Sequence, residues 1–297
     1  MESAHYRRNR RTLHGWIAAL CFTIASAAPA PALPPQRIVS TFLCTDEYVF
    51  RLVPRAHIAA LSFEAGDRNP VVSTIANEVG GIPQIHPTTE AVLDYKPDLV
   101  VMYEGTNPRL HAHLDEIGIP VFEVPWASSL AEVRRVTRVL GARLGAPHRA
   151  DALIAEMDAT LAKAKASAPR QPVSALIYEA NGYAAQGSVT TALMAAAGLS
   201  DAAPELGLDR RGRISVESVA AAPPELLILS GRSEVRDARA DLVLHHPALT
   251  SIADRTLIVW RPLRELLCPG PWSADAAVTF SDLAQRARAL ARSRGRN

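Results

Sequence analysis

The chain has 297 residues, a formal charge of +2, 48% hydrophobic and 5% aromatic residues, and three cysteines. Its size allows one large core or two modest ones. The near-neutral charge supplies no basic field for nucleic acid.

Residues 1–32 read as a secretory signal peptide. Arg7, Arg8, Arg10 and Arg11 precede the apolar stretch Trp16 to Ala28, and small residues offer cleavage after Ala27 or Ala32. The apolar run is shorter than the roughly 20 residues that a membrane-spanning helix needs. Arg10-Arg11-Thr12-Leu13 also resembles a twin-arginine signal. Cys21 follows Leu20, where a lipoprotein signal would want a small residue, so no lipid anchor is expected there. Loss of the leader shifts the formal charge to about −1 and leaves a chain expected to be soluble.

Ile38-Val39-Ser40 predicts a short buried strand and Thr45 to Leu52 a helix after it. Ile58 to Phe63, Leu99 to Tyr103 and Val121 to Val124 predict further strands, separated by helical or loop stretches. Apolar runs alternating with helices imply a mostly parallel sheet covered on both faces. Residues 35–127 are therefore expected to form an N-terminal α/β lobe.

From Ser129 to Ala168 the apolar spacing is helical, broken at Gly145-Ala146-Pro147. Ser128 or Ser129 is placed to cap the first helix, with Glu132 completing a capping box. Ala150 to Lys165 has no internal Gly or Pro and predicts a rod of roughly 24 Å. Residues 128–171 are thus read as a stiff helical connector. Strands at Val173 to Tyr178, Leu226 to Leu229 and Leu257 to Trp260, with helices at Thr190 to Ala197 and Ala274 to Ala291, make residues 172–297 a C-terminal α/β lobe. The fold class is α/β: two lobes, each a mostly parallel sheet flanked by helices, joined by one long rigid helix.

One phrase occurs twice: Glu90-x-Val-x-x-x-x-Pro97-Asp98 and Glu217-x-Val-x-x-x-x-Pro224-Glu225, each followed by an apolar run. The copies lie about 127 residues apart, too far for a solenoid with units of roughly 20 to 50 residues. With the leader, the lobes and the connector, this repeat resembles the periplasmic substrate-binding proteins of metal-chelate ABC importers, which carry cobalamin, ferric siderophores and haem. Leu114-x-x-Ile117-Gly-Ile-Pro-Val121 and Ala248-Leu249-x-x-Ile252 extend the resemblance over essentially the whole mature chain. It implies a periplasmic, monomeric protein without covalent cofactor or enzymatic activity. Such a protein captures a ferric or cobalt chelate, a ferric siderophore or cobalamin before haem, and delivers it to an ABC permease of the inner membrane. Glu90 and Glu217 match the glutamates with which that family docks on permease arginines; rim charges of this kind steer encounter. Each glutamate also favours the start of its own helix through the macrodipole.

Ligands of paired α/β lobes lie in the crevice at the carboxyl ends of the strands. The predicted ends place Cys44, Glu64, Tyr103, Glu104, Trp126, Tyr183, Cys268 and Trp272 on the cleft, and departures from the cobalamin-binder pattern add His86, Arg211 and Arg213. Tyr103, Trp126, Tyr183, Trp260 and Trp272 offer flat rings to a corrin, a porphyrin or catecholates, and each except Tyr103 is equally at home in core or rim packing. Tyr103 stands where cobalamin binders carry an aromatic. Arg211, however, replaces a tryptophan of the cobalamin pattern, and Arg210, Arg211 and Arg213 would suit an anionic chelate. His86, with Tyr103, is a possible haem iron ligand, although typical haem carriers have a tyrosine where Pro83 stands.

Cys44 and Cys268 are the two cysteines left after the leader. The first reading is two separate buried thiols acting as small apolar groups. The second is an interlobe disulfide, which needs Cα atoms within about 7 Å, and the third is a soft-metal site. Two alternatives to the chelate receptor follow. A bare Zn²⁺ or Mn²⁺ receptor would need converging His and carboxylate ligands, whereas His86, His111, His113, His245 and His246 are scattered. A hydrolase would use Cys44 as nucleophile and His86 as its base.

Overall fold

Strands β1 (Ile38–Ser40), β2 (Ile58–Ser62), β3 (Gln84–Ile85), β4 (Leu99–Tyr103) and β5 (Val121–Val124) form an all-parallel sheet in the order β3-β2-β1-β4-β5 in the computed structural model. The structure describes residues 33–185, 187–208, 212–231 and 239–294. The predicted leader, Cys21, Arg210, Arg211 and Arg232 lie outside the described residues. Ile38, Val39 and Leu99 to Met102 are fully buried, as strands covered on both faces require. Helices α1 (Leu43–Leu52), α2 (Thr89–Asp94) and α3 (Pro108–Glu116) connect them.

Helices α4 (Leu130–Arg143) and α5 (Pro147–Ser167) follow. The hydroxyl of Ser129 accepts the Glu132 N–H at 3.1 Å, as expected of the cap, but the Glu132 carboxylate accepts the Ser128 N–H at 2.6 Å rather than that of Ser129, so the reciprocal half of the expected capping box falls one residue early. Pro147 starts α5, where its missing N–H costs nothing. Arg134 with Asp158 and Arg138 with Asp151 pair across the two helices.

The second sheet contains β6 (Val173–Glu179), β7 (Leu199–Asp201), β8 (Leu226–Ser230) and β9 (Leu257–Trp260), all parallel in the order β7-β6-β8-β9. Helices α6 (Ser188–Ala196), α7 (Val216–Ala221) and α8 (Pro247–Thr250) lie between them, and α9 (Ala274–Arg294) closes the described chain.

The outer face of each sheet has its own apolar cluster: Val39, Val100 and Met102 with Leu110 and Leu114 of α3, and Leu176, Leu227 and Leu229 with Val219 of α7. The inner faces share a single cluster, in which Ile38, Leu99 and Val101 are continuous with Leu226 and Ile228 through residues of α1, α4, α5 and α9. More than the long helix therefore holds the two sheets together. Residues 261–273, which carry the expected cleft residues Cys268 and Trp272, leave β9 and pack against α1: Trp272 meets Tyr48 edge-on at 4.8 Å and lies under the Arg51 guanidinium at 4.5 Å.

Candidate functional site

Strand order locates the crevice. In the first sheet the order reverses between β1 and β4, in the second between β6 and β8, and open parallel sheets bind ligands at the carboxyl ends beside such reversals. The Ser188 hydroxyl of α6 donates to the Ser128 carbonyl beyond β5. The loops at the two carboxyl edges therefore meet.

Along the first edge the aromatic side chains pair. Phe63, 48% exposed, stacks on the exposed His86 with ring centroids 4.2 Å apart. Trp126, 53% exposed, stands edge-on to Tyr103 at 4.1 Å, and its indole N–H donates to the Glu104 carbonyl at 3.3 Å. Tyr103 itself is only 1% exposed, covered by Trp126 and by Phe42 at 5.5 Å. Burial pushes its phenol up to about 12. The open ring at this position is Trp126, with Tyr103 as its support. Glu64 is half-buried and Glu104 exposed.

On the second edge, Ala180 to Gly182 turn the chain out of β6, and Tyr183, 41% exposed, pairs backbone to backbone with Arg213. Gly182 is required here. Its φ is +78°, and a Cβ would lie 3.1 Å from both the Ile214 carbonyl and the Tyr178 hydroxyl, a region only glycine adopts freely. Tyr178 anchors the turn from below by donating to Ile214 at 2.7 Å. Glu179 is half-buried, and burial raises its carboxyl pKa. Arg213 is half-buried, and Trp260 stacks on His245 at 4.7 Å.

Three other expected cleft residues do different work. Cys44 and Cys268 are buried and joined in a disulfide with Cα atoms 5.0 Å apart. This corrects the first reading of two separate thiols and removes the Cys44 nucleophile, since a disulfide sulfur carries no thiolate. Trp272, 8% exposed, is packed between Tyr48 and Arg51 and is not a cleft ring. Among the described residues, no three His, Cys, Asp or Glu side chains converge as a metal site.

Glu90 and Glu217 occupy matching places. Each is an exposed residue in the first turn of a six-residue helix whose cap, Thr88 or Ser215, accepts the N–H of Ala91 or Ser218 at 3.2 or 3.1 Å. Bonds from their own backbone N–H groups and from the cap hydroxyls lower both carboxyl pKa values. Both remain anionic and face solvent.

Two parallel sheets with facing carboxyl edges and a helical connector define a two-sided receptor fold. A family model described as periplasmic binding protein matches residues 63–255. The chain belongs to that family: it is a periplasmic solute-binding protein and not an enzyme. No curated protein matches it. Similar solved structures include a possible iron-binding (periplasmic solute-binding) protein from Staphylococcus epidermidis ATCC 12228, at 19% identity over 84% of this chain and 98% of that one (TM-score 0.62). The periplasmic heme-binding protein RhuT from Roseiflexus sp. RS-1 shares 21% over 84% and 99% (TM-score 0.61). The vitamin B12 binding protein BtuF of Vibrio cholerae shares 18% over 86% and 98% (TM-score 0.61). At these identities the likeness is one of fold.

Proposed function

We propose that this receptor captures a metal chelate between its two sheets, in the crevice flanked by Phe63, Trp126 and Tyr183, and delivers it to an ABC permease. The exposed rings at both carboxyl edges carry the reading, because a flat, partly apolar chelate is held by ring faces while water is excluded. The names of the similar structures point the same way. A ferric siderophore or cobalamin is preferred over haem: Pro83 stands in place of the tyrosine that haem carriers use, and Tyr103 is buried. The N-terminal and C-terminal lobes at 35–127 and 172–297, with the connector at 128–171, are the bodies between which the cargo would sit. Glu90 and Glu217 would be the two docking charges.

Titration of tryptophan fluorescence with cyanocobalamin, haemin, and ferric catecholate and hydroxamate siderophores tests the proposal. Saturation by one of them at submicromolar concentration, weakened by Trp126→Ala, supports it. Absence of quenching by all four overturns it.

A further inference from the structure

Residues 261–273 are internally knit by hydrogen bonds but make few to what they cover. The Ser273 hydroxyl accepts the Gly270 N–H at 3.1 Å and donates to the Glu265 carbonyl at 2.8 Å, and Leu266 and Leu267 close short turns onto Leu263 and Arg264. Across to the first half of the molecule, the Arg264 guanidinium donates to Ser73 and the Tyr48 hydroxyl to Pro269, both at 3.5 Å, the long limit for a hydrogen bond. Glu265 Oε2 and Trp272 Nε1 are buried without a partner. Those two atoms offset the contact that Trp272 makes with Tyr48. Leu263, Cys268 and Trp272 do reach the shared apolar cluster, but the one covalent tie is Cys268 to Cys44, in the first turn of α1.

We propose that this segment is a strap, closed onto α1 only when Cys44 and Cys268 are oxidised, and that a periplasmic disulfide oxidant therefore completes the crevice. One cysteine thiolate attacks the oxidant's disulfide, forming a mixed disulfide and releasing one of its thiolates. The second cysteine then attacks the mixed bond and releases the other. Two protons and two electrons leave the protein, and the oxidant becomes a dithiol. The strap begins at Arg261, at the carboxyl end of β9, so its closure sets the position of that edge of the crevice. Only the effect on cargo rests on the chelate-receptor reading; the attachment of the strap is measured without ligand.

Hydrogen exchange resolved by peptide on the oxidised protein, on protein reduced by a small dithiol, and on Cys44→Ser/Cys268→Ser tests this. The expected result is that residues 261–273 and the first turn of α1 lose protection by about tenfold or more, while β1, β4, β6 and β8 keep theirs. Unchanged protection of 261–273 in both reduced forms overturns the strap, and so does an even loss over both sheets, which would make the bridge a global staple. Dissociation of haemin or cyanocobalamin is expected to quicken in the reduced forms. An open strap with an unchanged off-rate overturns the link to cargo, whereas no binding by the oxidised protein counts against the receptor reading instead.

Discussion

Asp98 and Glu225, the second acids of the repeated phrase, hold the start of the first strand in their own sheets. The Asp98 carboxylate accepts the Gln36 and Arg37 N–H groups at 2.7 and 3.0 Å, just before β1. Glu225 accepts the Ser174 N–H at 3.0 Å, at the start of β6. Glu225 also receives Arg288 of α9 at 2.7 Å. β1 is the central strand of its sheet and β6 an inner one. Asp98→Ala and Glu225→Ala are each expected to lower stability by about 1 to 2 kcal/mol, read from the midpoint of urea unfolding with an unchanged slope. No loss in either variant would show that the strand starts are held without these bonds.

Asp46 makes stability depend on pH. Its carboxyl is fully buried at the start of α1, where desolvation, resisted by bonds from Ser40 and Ser62, pushes it up to about 7 from 3.8. The folded protein therefore holds a proton that the unfolded chain releases, and stability falls as pH rises from about 4 to about 7. Asp46→Asn mimics the protonated acid, since its carbonyl still accepts from Ser62. The variant's stability relative to wild type should rise across that window by up to about 4 kcal/mol, measured as the difference between the two unfolding profiles. A constant difference would refute the buried proton.

Trp126 and Tyr103 should separate affinity from stability. Trp126→Ala removes an open ring and is expected to weaken chelate binding at least about tenfold, with a small change in Tm. Tyr103→Ala opens a cavity beneath it and is expected to cost about 3 to 5 kcal/mol of stability. Equal effects of the two changes on binding and on Tm would contradict this division.

Charge reversal at the two helix starts addresses delivery. Glu90→Lys and Glu217→Lys should leave Tm and chelate affinity nearly unchanged, because both side chains are exposed, and should lower stimulation of permease ATP hydrolysis most at low salt. Full stimulation by the double variant would remove the docking role.

Gly270 allows the Trp272 ring to approach its backbone. A Cβ there would lie 2.3 Å from the indole, and Trp272 has Tyr48 and Arg51 against it. Gly270→Ala should cost about 1 to 3 kcal/mol and alter the emission of Trp272. A variant with wild-type stability and emission would mean the ring relaxes freely.

Most long elements were legible because their pattern is local. Buried runs such as Leu99–Tyr103 and Leu226–Ser230 carry the signature of parallel strands, and the Ser129 helix cap needs only neighbours. β3 and β7 leave no signal in the sequence: two and three residues are too short to show a period. Helix α3 is marked by Asn107 and Pro108, a cap and first-turn pair, but its nine residues are too few to stand out from connecting chain. At the site, Trp126 and Tyr183 could be placed at strand ends, but the paired rings of Phe63 and His86 join residues 23 positions apart.

Local pattern carries the α/β class, the order of the longer strands and helices, and two equivalent posts for Glu90 and Glu217, because periodicity and capping are read over a few residues. That Cys44 meets Cys268, that Trp272 belongs to α1 rather than to the cleft, and that Tyr103 lies beneath Trp126 emerge only in the folded chain. Each depends on how chain segments far apart in sequence pack, and on which atoms that packing hides from water.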